Sequence, residues 1–350
     1  MQSQSDICLD ELVEAFNFIK VTKEEKQLMR EKYLSVKLSD DVVHQAKLYV
    51  QKIAALYNTS NPFHNFDHAC HVTMSVHKLM KRVVTDGTNS EEGMNSSSLE
   101  QESKDCYGIL TSDPLTLFAI AFSALIHDVD HPGVSNGQLA QESPEVAEHY
   151  KNKSIAEQKS FDISWNLLMG DEFVDLRHAI FPRQADMFRF REVAVNIVLA
   201  TDIFDKEMGD MRKERWKKVF GNNSSSKLLI EDNETIQNTR ATIVLEHIIQ
   251  ASDVSHTMQH WHVYLKWNKR LFEEMSIAFA HGRMSCDPAV FWYHGELNFF
   301  DNYVIPLAKK IGECGVFGVS SDEYLNYALS NRKEWELKGR DIVTDMMKSL

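Results

Sequence analysis

The sequence predicts an all-α fold. Apolar residues recur at i, i+3, i+4 spacing along much of the chain, convincing alternating runs are missing, and turn-punctuated β-branched stretches are few. These are properties of helices that bury one stripe, not of strands that bury one face.

In chain order, Leu9, Leu12, Val13, Phe16 and Ile19 form the first apolar stripe. Val42, Ala46, Tyr49, Val50, Ile53 and Ala54 form the second. Leu115 to Ile126 is apolar on every side, which predicts a buried helix; it is too short for a bilayer, which needs about 20 residues. Val193 to Ala200 and Ile243 to Ala251 read as mostly buried helices, and Trp261 to Phe279 as a long aromatic-rich one. Residues 85–104 are rich in Ser, Asn, Glu and Gly, and 221–235 resemble them in their polar first half. Both read as surface insertions, because helical patterns resume directly after each. The expectation is a single domain over residues 1–350.

Hydrophobic residues make up 43% and charged residues 25% of the chain, as in soluble globular proteins. The formal net charge is −13, which argues against a nucleic-acid polymer or an anionic membrane surface as partner, since both need a basic footprint. A small anionic substrate stays open if bound metal supplies positive charge locally. Cys8, Cys70, Cys106, Cys286 and Cys314 are scattered and never paired as Cys-x-x-Cys. Neither a disulfide framework nor a thiolate zinc site is indicated, and a reducing, cytoplasmic setting is expected. Met1 to Lys20 lacks the basic start and apolar stretch of a signal peptide, and no membrane segment is expected.

Three clusters carry chemistry. In Asn61-Pro-Phe-His-Asn-Phe-Asp-His-Ala, His64 and His68 are four apart and would share a face of a helix starting at Asn61-Pro62. His127-Asp-Val-Asp-His131-Pro-Gly follows the apolar 115–126 stretch, with Pro132-Gly133 expected to end that helix. Gln250-Ala-Ser-Asp253 closes another apolar helix. Buried imidazole and carboxylate are costly without a compensating partner or metal. Either histidine pair alone is more often a coincidence or a hydrogen-bonded core group than a ligand set. Together, in the order His…His-Asp…Asp, they suit Zn²⁺, Mg²⁺ or Mn²⁺. His44, His71, His77, His149, His178, His247, His260, His262 and His281 read as surface or structural.

This order resembles the HD metal-hydrolase superfamily. More narrowly, Phe-His64-Asn-x-x-His68-Ala with His127-Asp-x-Asp-His-Pro-Gly resembles the class I cyclic nucleotide phosphodiesterase catalytic domain. Further signatures follow in order: Glu157 in Asn-Lys-Ser-Ile-Ala-Glu, Leu199-Ala-Thr-Asp202, Ala251-Ser-Asp253, Trp267, and Phe299 in Phe-Phe-Asp-Asn-Tyr-Val-Ile-Pro-Leu. The resemblance runs from about Val42 to the C-terminal helix.

The resemblance implies hydrolysis of 3′,5′-cyclic nucleotides to 5′-monophosphates with two divalent ions. His68, His127, Asp128 and Asp253 would hold Zn²⁺, and Asp128 would bridge to a second metal, Mg²⁺, with Mn²⁺ an alternative. His131 and Glu157 would orient metal-bound waters. A metal-bridged hydroxide would attack phosphorus, and His64, partnered by Glu274, would be the general acid. Phe299 and Leu271 would sandwich the purine, and His256 occupies a variable pocket position. Phe63 stands where the family often has tyrosine.

One departure bears on selectivity. Glu296 stands where the family carries a glutamine that fixes the purine edge. An amide rotates to donate or accept, whereas an ionised carboxylate only accepts. Guanine's N1–H and 2-amino group match it best, so cGMP is expected to be accepted at least as well as cAMP. Regulatory or membrane domains outside this chain, and a homodimer, stay open. The insertions resemble those of domains from unicellular eukaryotes, some joined to membrane photoreceptors. Two other readings stand beside this one: an HD phosphohydrolase acting on deoxynucleoside triphosphates, and a catalytically dead nucleotide sensor or scaffold.

Overall fold

A computed structural model describes residues 8–19, 24, 25, 28, 31, 36–83, 113–221, 233–315, 317 and 322–350. The expected insertion at 85–104 lies outside them, as does most of 221–235, whose last residues already open a helix. Helix predominates among the described residues, with no strand among them, as the periodicity predicts.

The helices are α1 (Asp40–Leu56), α2 (Phe66–Arg82), α3 (Pro114–Ile126), α4 (Asn136–Glu142), α5 (Pro144–His149), α6 (Ile155–Leu168) and α7 (Val174–Ile180). They continue as α8 (Gln184–Leu199), α9 (Lys206–Phe220), α10 (Asn233–Asp253), α11 (Trp261–Ala280), α12 (Pro288–Phe299), α13 (Ile305–Glu313) and α14 (Glu323–Ser349). A π-helical turn, Phe300–Val304, joins α12 to α13.

The apolar 115–126 stretch becomes α3, packed between α2 and α8 and touching α10. Asp113 caps it by accepting from the Leu115 and Thr116 amides, and Pro114 occupies the first turn. Arg189 of α8 clamps the same carboxylate. Ala119, Ile120, Ala124 and Ile126 of α3 are fully enclosed. Burying each large side chain there stabilises the fold by about 1.5–3 kcal/mol.

The first apolar stripe does not form the expected helix. Cys8–Glu11 make a single 3₁₀ turn, and the chain runs on without helix to Ile19. Its backbone is satisfied by side chains instead: Val13 N–H donates to Asn196 Oδ1 (3.0 Å) and Phe16 N–H to Thr242 Oγ1 (2.8 Å). Asn196 and Arg215 donate back to the carbonyls of Glu11 and Glu14. Partners on α8, α9 and α10 thus replace the local helical bonds, while Phe16 and Phe18 still bury their rings.

Candidate active site

The three chemical clusters converge where α2 begins and α3 and α10 end. Helix α2 starts at Phe66, not at Asn61, because Asn65 is its cap: Oδ1 accepts the His68 amide at 3.2 Å. His64 therefore precedes the helix and His68 lies in its first turn, so the two do not share a helical face. They converge nonetheless, with ring centroids 6.1 Å apart. Asn65 Nδ2 donates to the Asn61 and Pro62 carbonyls (2.8 and 3.0 Å), which folds the preceding loop back over the cap.

Helix α3 ends at Ile126, before Pro132-Gly133, and residues 127–131 form tight turns. Val129 is buried and its carbonyl accepts from Ser160 Oγ at 2.7 Å, pinning the turn to α6. Gly133 has φ +70°, and a Cβ there would sit 3.0 Å from Asn61 Oδ1. That close approach lets Asn61 donate to the His131 carbonyl at 2.9 Å, tying the first two clusters together.

His68, His127, Asp128 and Asp253 face one another. His68 Nε2 lies 3.0 Å from Asp253 Oδ1 and 3.7 Å from Asp128 Oδ2. His127 Nε2 lies 3.1 Å from Asp128 Oδ2 and 3.4 Å from Asp253 Oδ1. His127 Nδ1–H donates to the Ala124 carbonyl at 3.0 Å, which turns Nε2 inward. That buried Nε2 makes no well-formed hydrogen bond. Burial opposes charge on His127, yet the two carboxylates push its pKa well up. Two buried histidines and two carboxylates, with an orphaned nitrogen among them, fit a divalent cation.

A second group adjoins the first. His64 Nδ1–H donates to Glu274 Oε1 at 2.5 Å, and Glu274 Oε2 accepts the Phe63 and His64 amides, both at 2.9 Å. Burial disfavours the His64 charge, but Glu274 overcomes it and holds the pKa up to about 9. Glu274 itself would be raised by burial, and His64 brings it down to about 2. His131 stacks on His64 with centroids 3.9 Å apart. Burial, then His64, push it down to about 3, and its Nδ1 accepts the Gly133 amide, so a neutral ring carries its proton on Nε2.

Glu157 shares Asn136 with Asp202: Nδ2 donates to Glu157 Oε2 at 2.9 Å and to Asp202 Oδ2 at 3.4 Å. Burial, then Asp202, push Glu157 up to about 7.

One cavity of about 1090 Å³ brings these groups together with apolar side chains. His64, Asp128, His131, Glu157, Asp253 and Glu274 line it, and so do His256, Leu271, Glu296 and Phe299. Its lysine and arginine, Lys153 and Arg283, are already paired with Glu207 and Glu142. His256, which burial and then His68 push down to about 3, is neutral. Phe63 touches His64, His68, His256 and Trp267 edge-on or tilted, a ring cluster that makes no use of a hydroxyl.

A sequence profile described as 3′5′-cyclic nucleotide phosphodiesterase matches residues 63–314. That span covers most of the chain and every residue that lines the cavity. The chain belongs to the class I cyclic nucleotide phosphodiesterase family. Among curated members, a 3′,5′-cyclic-AMP phosphodiesterase (isoform F) of Drosophila melanogaster is 32% identical over 227 residues, 62% of this chain and 28% of that protein. The human dual specificity calcium/calmodulin-dependent 3′,5′-cyclic nucleotide phosphodiesterase 1C is 26% identical over 214 residues, 61% of this chain and 24% of that protein. The chain spans less than a third of these phosphodiesterases. The phosphodiesterase domain of the RhoPDE fusion protein from the choanoflagellate Salpingoeca rosetta superposes with a TM-score of 0.65 at 18% identity, covering 97% of each chain. That likeness is one of fold.

Residues beyond the motifs also build this phosphodiesterase cavity. Tyr264 donates to Glu296 Oε2 at 2.7 Å. Tyr264, Asn268, Leu271 and Met275 succeed one another at helical spacing on α11, and that periodicity would have placed Tyr264 beside Leu271. Asn136 carries no such signal; only the fold brings it between Glu157 and Asp202.

Proposed function

We propose that the chain is a single catalytic domain that hydrolyses 3′,5′-cyclic nucleotides to 5′-monophosphates, accepting cGMP at least as well as cAMP. The observation that carries this is the shared cavity. Asp128 and Asp253 of the cation donor set, the carboxylate-held His64, and Phe299, Leu271 and Glu296 all line it.

His68, His127, Asp128 and Asp253 would hold one divalent cation, and Asp128 would extend to a second. Nitrogen and oxygen donors without thiolate suit Zn²⁺ and Mg²⁺, with Mn²⁺ an alternative. Two such ions supply a nucleophile at neutral pH and positive charge against phosphate oxygens. Because Lys153 and Arg283 are already paired, little other positive charge is free in the cavity. His64 keeps Nδ1–H on Glu274, so the proton available to the departing 3′ oxygen sits on Nε2. His131, neutral and stacked on His64, would present Nε2–H to water in the cavity, and Glu157 would accept from it. Phe299 and Leu271 would hold the purine between ring and aliphatic faces.

A triphosphohydrolase would not need this acid. His64→Ala should therefore sharply lower cyclic-nucleotide turnover while bound metal, measured by mass spectrometry, stays at the wild-type level. Full turnover in the variant would remove His64 from the mechanism.

A further inference from the structure

The wall around Glu296 holds a one-way hydrogen-bond relay. Trp292 Nε1–H can only donate, and it donates to Asn268 Oδ1 at 3.2 Å. That fixes the Asn268 amide, whose Nδ2–H donates to Tyr264 Oη at 3.3 Å. Tyr264 is buried, and Glu296 Oε2, at 2.7 Å, is the acceptor for its hydroxyl proton. Placing a proton on Oε2 would leave that buried donor without a partner. Oε2 is thus an acceptor at all times, and a carboxyl proton has only Oε1 to occupy.

We propose that Glu296 selects the base through its protonation state, with Tyr264 confining the proton to Oε1, the oxygen left for the ligand. This rests on the cyclic-nucleotide reading and extends it. Ionised Glu296 offers two acceptors, which match guanine's N1–H and 2-amino group. Protonated Glu296 offers an acceptor at Oε2 and a donor at Oε1. That pair matches adenine's 6-amino group and N1, and also guanine's N1–H and O6. Guanine has a two-point partner in both states, adenine only in the protonated one.

The surroundings place the change within reach of neutral pH. Tyr264 and Asn268 on α11 are the polar groups against Glu296, and no ion pair to it forms among the described residues. Along the same cavity, Glu274 is engaged by His64, and His256 is neutral. Burial raises Glu296, Tyr264 and Asn268 partly offset it, and the pKa settles at about 7.

The test is kcat/KM for cAMP divided by that for cGMP, measured from pH 6 to 9 on the metal-loaded protein. Both nucleotides use the same metals and the same His64, so those titrations cancel in the ratio. In wild type the ratio should fall roughly tenfold or more as pH rises through neutrality. In Glu296→Gln the relay turns the amide nitrogen outward, a permanent donor. Its ratio should be flat and equal to the acid limit of wild type. Tyr264→Phe removes a donor to the ionised form and should move the wild-type midpoint to higher pH. A flat wild-type ratio with both nucleotides hydrolysed overturns this inference alone. An equal pH dependence in Glu296→Gln does the same. Hydrolysis of neither nucleotide by wild type overturns the phosphodiesterase reading and this inference with it.

Discussion

Glu274 holds His64 at three points: one carboxylate oxygen takes the ring Nδ1–H, and the other takes the amides of His64 and Phe63. The contact spans 210 residues of sequence, joining the loop before α2 to the middle of α11. It fixes the ring, its tautomer and its charge at once, and leaves Nε2 as the atom that gains or loses a proton.

This pairing predicts the alkaline limb of activity. His64 acts protonated, and its folded pKa is raised to about 9, so turnover of cGMP should hold through neutral pH and fall as pH rises through that value. Glu274→Gln removes the carboxylate charge, and burial then dominates. The limb should move down by about 1–3 pH units, seen in the pH profile of kcat. His64→Ala should lower kcat by about 10²–10⁴-fold on the plateau below that limb, and the gap should narrow above it. An unmoved limb in Glu274→Gln would show that another group sets it.

Metal removal should destabilise as well as inactivate. Without a cation, Asp128 and Asp253 crowd against two buried histidines, and the carboxylates push the His127 pKa up in compensation. A chelator should lower Tm, and restoring Zn²⁺ should raise it, since a ligand of the folded state stabilises by mass action. In Asp253→Ala the Zn²⁺-dependent rise should shrink or vanish. Equal Tm values with and without chelator in wild type would contradict the assignment of these four ligands.

Away from the site, Arg215 of α9 and Glu246 of α10 form a buried ion pair, with Nη2 2.6 and 2.7 Å from the two carboxylate oxygens. Glu246→Leu alone leaves a buried guanidinium and should cost about 3–5 kcal/mol in urea unfolding. Arg215→Met with Glu246→Leu should recover most of that loss. A double variant as unstable as the single one would place the cost in packing rather than in the unpaired charge.

The extent to which this was legible in sequence follows from distance along the chain. The helices α3, α10 and α11 were readable because their periodicity is local. His127 and Asp128 stood out because an apolar helix delivers them together. The 9–19 segment misled because its stripe is real: Phe16 does bury, but Asn196 and Thr242 offer its backbone better partners than a helix would. The start of α2 was misplaced because Asn61-Pro62 imitates a helix start, while Asn65 accepts the His68 amide. The Trp292–Asn268–Tyr264–Glu296 relay was out of reach, because it lives between two helices and its direction depends on which atoms meet.

The most direct test of the central claim is ³¹P NMR of cGMP and of cAMP incubated with the metal-loaded protein in H₂¹⁸O. The expected product is the 5′-monophosphate carrying ¹⁸O on phosphorus, formed by water attack and loss of the 3′ oxygen. Unchanged cyclic nucleotide, or a 3′-monophosphate, would contradict it.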